Sequence, residues 1–349
     1  MTKTIDKTTG NIALSKLVNG IYPELFDGIV GQDAPKMRLC HYLRSYVRTR
    51  IFPNLILISQ KGNGKTKIAR EIAKGLLKFD DNSQIELNAD SQLPRRKKLV
   101  EINCSSLTTV NDFLANHMIS YVQDKDVTVF FDEASEIPHD ITMSLLTILA
   151  PNEVQTTYAY GNYVCQFDFR KQTFVFATSE PQKVFHALLD RLTRIDLQDY
   201  TPDELALIIQ KGSPDVKYER GVLDCIASVS RGNARNANNY AAEIKIYLGK
   251  DKGNFGVKDW NSLKCILGVA PLGLNVTELN ILRHLEANQN GVSLTALSAK
   301  MGMSREAVQR DGELYLLNKS LISIEPAKGR VLTPKGRDYL MELNLSKKK

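Results

Sequence analysis

The most constraining stretch of this 349-residue chain is Gly62-Asn63-Gly64-Lys65-Thr66. It follows the apolar run Asn54-Leu55-Ile56-Leu57-Ile58 and precedes Ile68, Ala69, Ile72, Ala73, Leu76 and Leu77, which recur at helical spacing. A short apolar run stopped by glycines reads as a buried strand, and the periodic run after it as an amphipathic helix. Strand, glycine turn and helix N-terminus together make an anion cradle. Glycines let backbone N–H groups wrap phosphate oxygens, and the helix adds the positive end of its dipole. Gly62, Asn63, Gly64, Lys65, Thr66 and Lys67 are thus the expected nucleotide-binding residues, with Lys65 on the β- and γ-phosphates and Thr66 on Mg²⁺. The pattern G-x-x-x-x-G-K-[ST] opens on glycine; here Ser59 stands there, at some conformational cost.

A second feature fits the first. Val127-Thr128-Val129-Phe130-Phe131 is an apolar run that ends in Asp132-Glu133. Adjacent carboxylates at the end of a buried strand are costly unless they serve an ion or a reaction. Asp132 is expected to hold Mg²⁺ through water, and Glu133 to polarise an attacking water. Leu99 to Asn103, Thr173 to Ala177 and Ile195 to Leu197 are further buried-strand candidates, with helical patterns between most of them. That alternation predicts a mostly parallel sheet covered by helices.

Composition narrows the class. At 43% hydrophobic and 24% charged residues the chain can bury sizeable cores. No run reaches the ~18 apolar residues of a membrane span. The polar N-terminus, Met1 to Leu17, carries no secretory pattern. Five scattered cysteines (Cys40, Cys104, Cys165, Cys225, Cys265) exclude a disulfide scaffold, and neither they nor the five histidines show metal-ligand spacing. A cytoplasmic protein without membrane contact is expected. The net charge of +7, three units of it in Lys347, Lys348 and Lys349, permits nucleic-acid binding without requiring it.

Residues 80–98 read as a polar surface insertion whose end, Arg95-Arg96-Lys97-Lys98, suits a solvated basic run better than a binding site. Residues 153–168 read as a hairpin around Gly161-Asn162; its tyrosines suit a partner surface or plain sheet packing equally. Pro202 to Lys211, Tyr218 to Ser230 and Asn233 to Leu248 read as helices, and Asp251 to Gly256 as a linker. Further on, Leu279, Ile281, Leu282 and Leu285 share one helix face. Ser293 opens a second helix and Ser304 caps a third, Arg305 to Leu317. Leu321 to Ile324 and Arg330 to Thr333 then read as two strands, completing a winged helix, a variant of helix-turn-helix.

From Phe26 to Tyr339 the chain resembles the AAA+ ATPases, and within them the RuvB family of branch-migration motors. Phe26-Asp27-Gly28-Ile29-Val30-Gly31-Gln32 resembles the opening that contacts adenine, which implies that role for Ile29 and Val30. Phe174 to Ser179 resembles the sensor 1 strand, with Thr178 or Ser179 orienting the lytic water or γ-phosphate. Leu188-Leu189-Asp190-Arg191-Leu192 resembles the arginine-finger segment, so Arg191 would act in a neighbour's site, with Arg194 a poorer candidate. Ser230-Arg231-Gly232-Asn233-Ala234-Arg235 resembles the sensor 2 stretch and implies that Arg235 contacts nucleotide. Glu313 to Leu317 and Lys328 to Thr333 resemble the family's C-terminal end, where wing cations touch the DNA backbone; Lys328 and Arg330 match. The family's P-loop prolines are Gln60 and Lys61 here, and the insertion at 80–98 is extra.

The resemblance implies an α/β P-loop AAA+ core with a parallel sheet, an all-α lid and a C-terminal winged-helix domain. The expected boundaries are 1–20 (lead-in), 21–199 (core), 200–272 (lid), 273–342 (winged helix) and 343–349 (basic tail). It further implies ATP and Mg²⁺ as cofactors, a homo-hexameric ring on double-stranded or junction DNA, and a RuvA-like partner at the 153–168 hairpin. Two rival readings are a replication initiator or helicase loader that uses ATP as a switch, and a scaffold that binds ATP only to assemble.

Overall fold

The structure, a computed structural model, describes residues 25–80, 84–89, 91, 93–150, 156–160, 163–167, 169–249 and 253–346, with side chains at 156–160, 163–167 and 346 excepted. The chain forms two compact units. One holds the chain through Ile208 together with Gly232–Arg235; the other holds Ile209–Arg231 and everything from Asn236 onward.

In the first unit, α1 (Asp33–Thr49) leads into β1 (Leu55–Ile58) and α2 (Lys65–Gly75). The sheet continues with β2 (Lys98–Asn103), β3 (Val127–Asp132), β6 (Thr173–Thr178) and β7 (Thr193–Asp196). Among the described residues these five strands run in the order β2-β3-β6-β1-β7, every pairing parallel. The period-2 alternation of strand side chains divides the interior in two. Ile56, Ile58, Ile102, Val129, Phe131 and Phe176 feed one core. Leu55, Leu57, Phe130, Val175, Ala177 and Ile195 feed the other, against Leu39, Leu43, Ile68 and Ile72 of the first two helices. All four residues of β1 are buried, because it is central and covered on both faces.

Between β2 and β3 lies α3 (Val110–Phe113), which continues as a π-helix over Leu114–Val122. After β3 comes α4 (His139–Ile148), then a hairpin of β4 (Thr156–Tyr160) and β5 (Tyr163–Phe167). The hairpin pairs antiparallel with Tyr160 opposite Tyr163, so the expected arms form; Gly161 and Asn162 lie outside the described residues. A short α5 (His186–Leu189) precedes β7.

The 80–98 insertion is more ordered than its polarity suggests. Antiparallel bridges join Leu77 to Arg96, Phe79 to Ile85 and Leu87 to Pro94. Phe79 and Ile85 pack against the second core. Lys97 is not part of a solvated run. Its side chain is 4% exposed and its ammonium bonds Asp126 at 2.9 Å and the Lys171 carbonyl at 2.7 Å. Burial lowers its pKa, with Asp126 opposing. The sequence shows a basic cluster, but the pleat turns one of its members inward.

α6 (Pro202–Gly212) leads into the second unit. There α7 (Val222–Val229), α8 (Ala234–Leu248) and α9 (Val257–Ile266) pack together. The expected helix from Tyr218 is shorter, because Lys217–Tyr218 (β8) pairs with Asn254–Phe255 (β9). That pairing also withdraws Asn254 and Phe255 from the expected linker; Asp251 and Lys252 lie outside the described residues.

The winged helix follows as expected. α10 (Val276–Glu286) opens on a capping box of Asn275 and Glu278. α11 (Leu294–Met301) is capped by Ser293, and α12 (Arg305–Val308) by Ser304. α12 continues through a π turn, Gln309–Glu313, into α13 (Leu314–Asn318). β10 (Ile322–Glu325) and β11 (Gly329–Leu332) form the wing. A last helix, α14 (Pro334–Ser346), runs past the expected boundary at 342 with Leu343 buried, so the expected basic tail is partly helix. Lys347, Lys348 and Lys349 lie outside the described residues.

The lid helices from Ile209 onward and the winged helix fall in one compact unit, joined through Arg231. Its guanidinium donates to the Gly273 carbonyl and to both oxygens of Glu278, a residue 1% exposed, and lies 3.9 Å from the Tyr315 ring centroid. Tyr315 and Tyr339 hydroxyls donate to the Leu272 and Pro271 carbonyls across the same joint.

Candidate functional site

The glycine turn leaves β1 at the carboxyl end of the sheet, where parallel α/β folds place their ligands. Gly62 and Gly64 sit at φ 92° and 91°, so here the glycines are conformationally required. A Cβ on Gly62 would fall 2.4 Å from Asn233 Oδ1. Lys65 donates to the Ser59 carbonyl at 2.8 Å and the Gln60 carbonyl at 3.1 Å, so its ammonium is held inside the turn. Thr66 donates its hydroxyl to Asp132 Oδ2 at 2.9 Å, joining the two expected Mg²⁺ ligands from opposite ends of 66 residues. An alcohol and a carboxylate oxygen are hard donors of the kind Mg²⁺ takes, beside several waters. Glu133 follows at φ 57°, and its N–H donates to Asp132 Oδ1. A crevice of about 270 Å³ opens here, lined by Glu101, Ile102, Asn103, Asp132 and Glu133.

Burial lowers the Lys65 pKa to about 8, while Asp132 and Glu133 pull it back up. The free site therefore holds a half-neutral amine near pH 8, and an entering polyanion restores the charge. Nucleotide binding above pH 8 is expected to take up close to one proton, and affinity to fall about tenfold per pH unit until the bound-state pKa is reached. Calorimetry in two buffers of different ionisation enthalpy checks this. Equal heats in both at pH 8.5 would contradict it.

Other expected residues are placed as follows. Thr178 ends β6 fully buried, its hydroxyl accepting from the Glu180 N–H and its carbonyl from the Ser59 N–H. Ser179 is half-buried and more accessible. Arg235 lies at the glycine turn, its N–H donating to the Gly62 carbonyl at 3.1 Å. Ile29 is buried and Val30 half-buried in the opening loop. Lys67 turns its ammonium to the Gly28 carbonyl at 2.7 Å, tying α2 to that loop. Arg191 is exposed, its side chain donating among the described residues to the Ala187 carbonyl of the short helix just before it, whereas Arg194 is held bidentately by Asp196.

The wing brings one correction. Lys328 is exposed and pairs with Glu325 at 3.0 Å, as a labile surface pair. Arg330 is not at the surface: its side chain is 11% exposed and forks onto Glu313 at 2.6 and 3.1 Å, with Glu313 2% exposed. A buried carboxylate on the third helical stretch of the winged unit needs a permanent counter-charge, and Arg330 is that counter-charge.

Sequence reading missed the braces of the glycine turn. Asp199 accepts from the Asn63 side chain at 2.7 Å, Tyr200 donates to the Asn63 carbonyl at 3.3 Å, and Asn233 donates to the Lys61 carbonyl. Gln32 exchanges two hydrogen bonds with the Gln198 backbone, fixing the opening loop. Asn233 carried a signal inside the stretch quoted for Arg235, and Gln32 inside the opening stretch; Asp199 and Tyr200 carried none.

Comparison with known proteins agrees with this geometry. The profile of the AAA domain (dynein-related subfamily) matches residues 54–193, and that of the RuvB C-terminal winged helix domain matches 271–341. The chain is 25% identical over 342 residues to the Holliday junction branch migration complex subunit RuvB of Kosmotoga olearia, spanning 95% of this chain and 93% of that one. It is 26% identical to its counterpart from Helicobacter pylori, spanning 91% and 90%. The Thermotoga maritima RuvB Holliday junction branch migration motor superposes with a TM-score of 0.71 at 22% identity, over 90% of this chain and 96% of that one. Fold and site together define a P-loop ATPase of the AAA class that carries a winged helix. Within that class the chain is similar over nine-tenths of its length to RuvB proteins, and its C-terminal part matches their winged-helix domain. Among the described residues, no single helix is long and apolar enough to cross a membrane.

Proposed function

We propose that this chain is an ATP-driven motor that moves duplex DNA to promote branch migration of Holliday junctions, working in the cytoplasm as a homo-hexameric ring. The observation that carries the reading is the glycine turn that holds Lys65 and sets Thr66 against Asp132, which with Glu133 lines a crevice, while Arg191 stands exposed without an ion pair among the described residues. Lys65 would neutralise the β- and γ-phosphates, and Thr66 with Asp132 would hold Mg²⁺, which supplies charge neutralisation and orients the phosphates. Glu133 would orient the attacking water, with Thr178 or Ser179 beside it. Arg191 has no use in its own subunit on this reading; it would offset charge in a neighbour's site. Ile29 and Val30 would meet adenine, and Arg235 would reach the nucleotide. On the wing, Lys328 is the remaining phosphate-contact candidate, and phosphate contact carries no sequence information. A RuvA-like junction binder would dock at the 153–168 hairpin.

The test mixes subunits. Lys65→Ala and Arg191→Ala proteins, each inactive alone, should recover a measurable fraction of ATP turnover when combined, and the parent rate should rise with duplex or four-way-junction DNA. Full-speed hydrolysis by an isolated protomer, with no rescue on mixing, would refute the shared site. Junction binding without strand movement in a branch-migration gel would favour the loader reading.

A further inference from the structure

Lys61 is a cation placed beside the expected catalytic carboxylate by the glycine turn itself. Its ammonium lies 3.5 Å from Glu133 Oε1, with the two side chains 65% and 44% exposed. The backbones at both ends are held. Asn233 donates to the Lys61 carbonyl, and the left-handed Glu133 is tied by its N–H to Asp132 and by its carbonyl to the Glu136 N–H. The movable part is the lysine stem.

We propose that Lys61 reads the γ-phosphate from within its own subunit, exchanging Glu133 for the nucleotide when a triphosphate enters. This rests on the ATPase reading above. A carboxylate that orients an attacking water accepts at about 2.7 Å, and that water stands roughly 3–3.5 Å from phosphorus. An ammonium in contact with that carboxylate is therefore within one side-chain rotation of the terminal phosphate oxygens. The choice of partner follows from charge. One exposed carboxylate at 3.5 Å is a weak hold; a terminal phosphate offers more charge and charge-assisted hydrogen bonds. A diphosphate presents no group there, so Lys61 stays on Glu133. The exchange has two effects: ATP is favoured over ADP, and Glu133 is released only when the phosphate it must act on is present. At the matching position the RuvB pattern has proline, which can do neither.

The test uses full-length Lys61→Met, Lys61→Arg and Lys65→Ala proteins. Each is measured for binding of a non-hydrolysable ATP analogue and of ADP, with steady-state ATP turnover alongside. Lys61→Met should weaken the analogue about five- to tenfold, as expected for one charge-assisted contact, and leave ADP within twofold. KM for ATP should rise with it. Lys61→Arg should keep the parent's ATP-to-ADP preference. Loss of both affinities by one factor, no change in either, or an arginine variant as poor as the methionine one would overturn the proposal while leaving the ATPase reading standing. A parent protein that binds neither nucleotide, or binds as Lys65→Ala does, would overturn both.

Discussion

Lys65→Ala should lose about a hundredfold in ATP affinity, ~2.7 kcal/mol, the size expected for a hydrogen-bonded charge contact to phosphate. The geometry makes this the most sensitive single position. In the free protein the ammonium already donates to the Ser59 and Gln60 carbonyls, so the turn is wrapped around it before ligand arrives. Binding then exchanges carbonyl partners for phosphate oxygens without assembling the cradle anew. The methyl of alanine leaves those carbonyls facing an incoming polyanion with nothing between. Folding should be little affected, since Lys65 is partly neutral and costs burial energy in the free state. Unchanged melting with lost nucleotide binding is the expected pair of results. Normal ATP affinity in the variant would remove the phosphate cradle from this turn.

Arg231→Ala should be the most damaging substitution outside the nucleotide site. It leaves Glu278, 1% exposed, without its counter-charge, and strips the Gly273 carbonyl of its donor. Breaking a buried pair by removing one partner costs about 3–5 kcal/mol. Denaturant melts should show the second unit unfolding earlier, while the sheet unit keeps its midpoint. Arg231→Lys should restore only part of the loss, because one ammonium cannot fork onto a carboxylate and lie flat on the Tyr315 ring at once. A shift below 1 kcal/mol for the alanine variant would show that water replaces the guanidinium and that the joint is soft.

The sheet was legible because its signals are local. A buried strand must be apolar throughout, a glycine turn must carry glycines, and helix caps must carry Ser or Asn; β1, β3, β6, Ser293 and Ser304 all obeyed. The contact between Thr66 and Asp132 was legible for the same reason, since both sit at the ends of predicted elements that a parallel sheet brings to one edge. Charge at a distance was not legible. Arg330 and Glu313 are 17 residues apart, and nothing in either neighbourhood shows that the helix turns one carboxylate inward. Lys97 stands in a run of four cations, yet pairs with Asp126 in the interior. Burial of a charge depends on its partner, and the partner is set by tertiary packing rather than by composition.

The braces of the glycine turn have a consequence for how the protein is made. Residues 61–66 leave the ribosome early, but Asp199, Tyr200 and Asn233, which pin Asn63 and Lys61, follow 136 to 172 residues after their partners. Closing such long loops is slow and comes late in folding. A nascent chain stalled before residue 199 thus carries the whole phosphate signature and cannot clasp a phosphate firmly. The last of these braces can form only after Asn233 has emerged, so the turn reaches its full set of contacts late in synthesis.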